Sequence, residues 1–87
     1  MPNLLERAKN HLFRRQRSYQ LTFSHEVAKD VLADLATFCR ANASTFHSDP
    51  AVARQLDGRR EVWLRIQKHL NLSSQQLWEI YERKIDG

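Results

Sequence analysis

Four histidines (His11, His25, His47, His69), one cysteine (Cys39) and ten carboxylates are the groups through which this sequence could do acid–base, nucleophilic or metal chemistry. A protein metal site draws on donors at short spacing, so that one turn presents two of them to the ion. The histidines and Cys39 stand far apart with no paired spacing, and neither a metal nor any other cofactor is expected. His47, two residues before Asp49, has the makings of a general base with an orienting carboxylate. Nothing near it supplies a nucleophile or a pocket, so it reads as a solvated loop histidine. Cys39 closes an apolar stripe and reads as a small buried hydrophobe rather than a reactive thiol. Trp63 and Trp78 read as packing residues rather than stacking platforms. The sequence holds no phosphate-cradling glycine loop, dinucleotide glycine motif, helical histidine pair with a glutamate, or nucleophile elbow. The expectation is a non-enzymatic chain with no small-molecule substrate, acting through macromolecular contacts.

Charge narrows the kind of contact. Residues 1–20 carry five cations (Arg7, Lys9, Arg14, Arg15, Arg17) and one acid (Glu6), a balance of +4. The remaining nine basic and nine acidic groups cancel, so the whole formal excess sits in the first segment. Leu4, Leu5, Ala8, Leu12 and Tyr19 recur along one side of that segment at helical spacing, which makes it a basic amphipathic helix. Such a helix can neutralise phosphates on nucleic acid, lie in a lipid headgroup layer, fill a groove on a protein with acidic rims, or face water. Its apolar side is narrow, which favours the protein groove. Arg59 and Arg60 form a second candidate patch, and Glu61 and Arg65 are spaced for an ion pair on one helix face.

The elements that position these residues are all helical, since Pro2, Pro50, Gly58 and Gly87 are the only glycines and prolines and no stretch alternates apolar with polar residues. After the first helix, Ser24 is placed to cap a second, whose stripe is Val27, Val31, Leu32, Leu35, Phe38 and Cys39. A polar connection follows Arg40, and Phe46 within it is expected to pin the loop to the core. Asp49 and Pro50 open a third helix. Gly58 within it marks a bend or a close backbone approach, with close packing favoured. Ser73 with Gln76 forms a capping box, and Leu72 with Leu77 a staple, for a last helix carrying Leu77, Trp78, Tyr81 and Ile85. That helix is too nearly neutral, with Glu79 and Glu82 beside Arg83 and Lys84, to serve as a DNA recognition helix. No apolar run approaches the roughly 20 residues of a membrane span. At 87 residues the expected architecture is a single small unit: a compact bundle of three helices over residues 23–87, with the basic helix of residues 1–22 packed on it or projecting.

Three stretches taken together resemble the small tailed-bacteriophage proteins of the Bordetella phage Bbp-nineteen-like family. They are Val31-Leu32-Ala33-Asp34-Leu35 leading to Phe38-Cys39, the Phe46 to Pro50 segment, and Gly58-Arg59-Arg60-Glu61-Val62 leading to Leu64 and Ile66. The resemblance runs from Val31 to Ile66. It implies a protein encoded among phage head and morphogenesis genes, without known enzymatic activity. It transfers no catalytic or ligand residue; the matching positions are Asp34, Phe46, Asp49, Pro50, Gly58, Arg59 and Arg60.

Residues and resemblance together predict a virion or assembly component, made in the bacterial cytoplasm, that docks in several copies onto a larger phage structural protein such as a portal or capsid. Leu4, Leu5, Ala8 and Leu12 would insert into the partner, and Arg7, Arg14, Arg15 and Arg17 would meet acidic groups or packaged DNA. On this reading, deleting residues 1–20 abolishes docking and leaves the other helices folded. The rival readings are a small phage nucleic-acid-binding regulator and an inhibitor of a host or defence protein.

Overall fold

Asn3 starts the first helix by accepting a hydrogen bond from the Glu6 amide on its side-chain oxygen (2.8 Å), with Glu6 itself in the positively polarised first turn. The computed structural model describes the backbone of residues 3–86 and the side chains of residues 3–84. Within that span it contains four helices and no strand: α1 (Leu4–Thr22), α2 (Ala28–Phe38), α3 (Pro50–Asn71) and α4 (Ser74–Asp86). The all-helical reading is therefore correct; the Ile85 side chain and the first two residues of the segment 1–22 lie outside the described residues.

The helix ends show which local signals decided the fold. Ser73 and Gln76 form the reciprocal box at the start of α4: the Gln76 amide donates to Ser73 Oγ (3.1 Å) and the Ser73 amide to Gln76 Oε1 (3.0 Å). Asp49 accepts from the Ala51 amide at 2.8 Å, and Pro50 occupies the first helical position of α3. Ser24 behaves differently from expectation. Its hydroxyl donates backward to the Leu21 carbonyl (2.8 Å), closing the end of α1, and α2 begins only at Ala28 without a side-chain cap. The end of α2 is closed by a left-handed Arg40 (φ 57°), whose amide bonds the Thr37 carbonyl (3.2 Å) while the Ala41 amide reaches Ala36 (2.9 Å). That paired arrangement satisfies two orphan carbonyls at a position that glycine ordinarily holds.

Packing revises the expected architecture. The buried cluster joins Leu12 of α1 to Leu77 and Trp78 of α4, with Ala8 and Phe13 packed against it. Helix α1 lies against both α3 and α4, so it is a wall of the bundle rather than an appendage. The lateral element is α2, which rests on α3 and buries only Ala28, with Cys39 just beyond its end. Val27, Val31 and Phe38, expected in the core, face out. Phe46 is 84% exposed and does not pin its loop. The result is a slab of 52 × 37 × 16 Å whose radius of gyration, 15.7 Å, exceeds the about 12 Å of a compact globule of this length.

Gly58 also departs from its reading. Apart from its chain neighbours and its own helix backbone, no atom stands within 4 Å of where its Cβ would lie, and its φ is not positive, so no other backbone approaches closely and the helix passes through it unbroken. Gly58→Ala is therefore expected to stabilise the chain by about 1 kcal/mol, raising the melting temperature by roughly 4–8 °C in a dilute thermal melt.

Candidate functional site

The polar residues that the fold takes inside lie along one seam. Gln16 sits on the inner stripe of α1 with Ala8, Leu12 and Tyr19, and is buried. Its amide nitrogen donates to the Leu72 carbonyl (2.8 Å) at the α3–α4 turn, and its oxygen accepts from Ser74 Oγ (2.8 Å). One side chain thereby ties α1 to the junction of the two helices it packs on. A helical turn away, His69 of α3 is buried and stacks on the Tyr19 ring with centroids 4.3 Å apart. His69 Nδ1 lies 2.8 Å from the Arg65 carbonyl, which only a donor can satisfy, so the proton sits there. Nε2 is left as the acceptor of the Arg15 Nε–H (3.2 Å). This places a neutral imidazole beside a guanidinium. Burial, joined by the positive charges of Arg15, Arg65 and Lys68, holds the His69 pKa below 6.5 against the opposing pull of the Arg65 carbonyl.

This seam redistributes the residues expected to meet a partner. Leu12 is 2% exposed and belongs to the core, so it is withdrawn from the docking set: a side chain packed on Leu77 and Trp78 cannot also insert elsewhere. Ala8 is half-buried against the same cluster, and Arg15 is half-buried with its Nε committed to His69. Leu4 and Leu5 remain outside, 80% and 54% exposed, as do Arg7, Arg14 and Arg17. At about 100° per residue, Arg7 and Arg14 share a ridge on the side of α1 away from Leu12, with Arg17 on its flank. The basic face and the core face are thus opposite sides of one helix.

The second patch is partly engaged. Arg59 stacks its guanidinium over the Phe38 ring at 4.4 Å, and Arg60 Nη1 donates to the Ala43 carbonyl (3.3 Å). These contacts hold α2 and its following loop against α3. The Glu61–Arg65 ion pair expected from spacing is not formed; among the described residues the ion pair is Lys29–Glu26, exposed, at 3.1 Å. His47 and Asp49 do not make a catalytic couple either. His47 Nδ1 accepts the Asp49 amide (2.9 Å) and the Asp49 carboxylate caps α3, so both act as loop scaffolding.

A groove of about 700 Å³ runs between α3 and α4, with Leu12 and Arg15 of α1 also lining it. Leu77, Ile80 and Tyr81 form its apolar wall, and Arg65, Lys68 and Lys84 stand on its rim with Glu61 as the one acid. Sequence reasoning missed both the seam and this groove. The signal for the seam was a polar Gln16 recurring within the stripe Ala8, Leu12, Tyr19. Among the described residues no cluster of histidine, cysteine and carboxylate groups could hold a metal, and no helix is long and apolar enough to cross a membrane.

A family model described as Bbp19-like phage protein matches residues 19–82. The match covers the end of α1, all of α2 and α3 and most of α4, so the chain belongs to this family. The arginines of α1 precede it. No curated protein and no solved structure matches the chain.

Proposed function

We propose that this Bbp19-like phage protein is a non-enzymatic virion or assembly component that docks onto a larger structural protein, a portal or capsid subunit, in the particle. The observation that carries the reading is the outer face of α1, where Arg7, Arg14 and Arg17 are exposed on a helix whose opposite side is fixed in the core, with Leu4 and Leu5 uncovered at its start. That face carries three of the five cations of the first segment on a rigid element, the arrangement that orients a small protein on an acidic surface. A symmetric shell offers such a surface many times, and binding it adds stability to a chain with a small core. The polar groups of the seam hold helices together.

The test is the triple reversal Arg7→Glu, Arg14→Glu, Arg17→Glu in the full chain. All three side chains are exposed, so the melting transition should stay close to that of the parent. Copurification with particles from infected cells should fall at least about tenfold, equivalent to ~1.4 kcal/mol of binding. Undiminished copurification overturns the reading. The same face would also suit phosphates, so a mobility-shift titration on bare duplex and single strands at two salt concentrations separates the regulator reading. Binding that weakens steeply with salt and vanishes in the triple variant favours the regulator.

A further inference from the structure

We propose that this protein associates with itself head to tail, the outer face of α2 in one copy seating in the α3–α4 groove of the next. Val27, Val31 and Phe38 are 74%, 51% and 55% exposed and fall on one line of α2, at spacings of four and seven residues. Asp34 lies in the same line and Asp30 beside it, both exposed. Lys29 is held by Glu26, which leaves the two aspartates without an ion partner among the described residues. An apolar ridge edged by acids is thus presented to solvent by the one helix that contributes least to the core.

The groove is its complement, apolar at Leu77, Ile80 and Tyr81 and edged by Arg65, Lys68 and Lys84. The two surfaces cannot meet within one chain. Arg59 of α3 lies over Phe38 of α2, and Lys68 projects from α3 on the side opposite Arg59 at about 100° per residue. Opposite faces that complement each other give a heterologous contact, one that repeats from copy to copy. Gly58 supports the same occupant. It lines the groove, and apart from its chain neighbours and its own helix backbone nothing stands within 4 Å of where its Cβ would lie, so an interior helix position that costs about 1 kcal/mol leaves room for an incoming side chain.

The area agrees. The chain exposes 6749 Å², whereas a compact monomer of 10.3 kDa exposes about 5,400 Å². The excess, roughly 1,300 Å², is of the size that a specific interface buries. The four positions substituted below lie on α2 and α3 and none on α1, so failure here leaves the particle-docking reading standing, and the converse holds as well.

The experiment uses the full chain in sedimentation velocity across a concentration series, with two charge-reversed variants. The parent should show concentration-dependent species beyond the monomer. Asp30→Lys with Asp34→Lys, and separately Arg65→Glu with Lys68→Glu, should each weaken self-association at least about a hundredfold, since like charges then face each other. Mixing the two variants should restore association as alternating one-to-one assemblies, because each reversed face meets its complement on the other. That recovery also shows both variants to be folded. A parent that stays monomeric throughout, variants that associate like the parent, or a mixture that fails to recover would each overturn the proposal.

Discussion

Removal of residues 1–20 is expected to abolish the cooperative thermal transition, leaving a chain without fixed tertiary structure rather than a folded body freed from its partner. The truncation takes away Leu12, one third of the buried cluster with Leu77 and Trp78, and with it Ala8, Phe13 and the Tyr19 ring. It also takes Gln16, leaving the Leu72 carbonyl and the Ser74 hydroxyl without their partner. Deleting one buried leucine side chain costs about 2–5 kcal/mol, and each hydrogen bond given up about 0.5–1.5 kcal/mol. A domain of this size has a total stability of roughly 5–15 kcal/mol, so losing the whole inner stripe of α1 at once is comparable with all of it. The graded version is Leu12→Ala, expected to lower the melting temperature by roughly 4–8 °C for each kcal/mol lost. Far-UV circular dichroism melts of both chains check this. A fragment 21–87 that melts cooperatively near the parent temperature would show that α1 is an accessory after all. Loss of particle binding in such a fragment reports unfolding, which is why the docking test reverses charges on α1 and leaves its inner stripe alone.

What the sequence disclosed and what it concealed divide along a physical line. Asp49 with Pro50 and Ser73 with Gln76 act on backbone amides no more than three residues away, so their chemistry was readable, and the structure forms both caps. Ser24 was equally suited to closing α1 or opening α2, and its hydroxyl closes α1. Periodicity placed Val27, Val31 and Phe38 in line with one another, but a wide stripe does not say which of its edges the neighbouring helix covers. The same gap caused the misreading of α1. Net charge located the arginines, yet it carried no information about the opposite side of the helix, where Ala8, Leu12 and Tyr19 meet residues from the other end of the chain. Gln16 to Leu72 and Arg15 to His69 each join residues more than fifty positions apart, and no local pattern announces such a pair. The residues proposed for docking inherit this division: Arg7, Arg14 and Arg17 are exposed as the sequence reading expects, and Leu12 is not.

His69 converts that hidden seam into a measurable pH dependence. Its environment presents cations from two elements, Arg15 of α1 and Arg65 and Lys68 of α3, and no carboxylate figures among the groups that shift it. The folded-state pKa therefore lies below the 6.5 of the unfolded chain, burial being the largest cause. Above pH 6.5 the imidazole is neutral in both states and its contribution is fully present. As pH falls through 6.5 the unfolded chain takes up a proton that the folded chain refuses. Stability then declines, by at most about 1.4 kcal/mol per pH unit, until the folded pKa is reached. Protonation would place an Nε2–H against the Arg15 Nε–H, replacing a hydrogen bond by two opposed donors and prising α1 from α3 at the Tyr19 stack. His69→Phe keeps an aromatic ring for Tyr19 and removes the titration. It should cost about 1.5–3 kcal/mol at pH 7.5, the value of a hydrogen bond to a charged group, and remove this residue's share of the decline between pH 7.5 and 5.5. Melting temperatures of parent and variant across that interval supply the comparison. Parallel slopes in the two proteins would mean that His69 is not the group that couples proton uptake to the docking of α1.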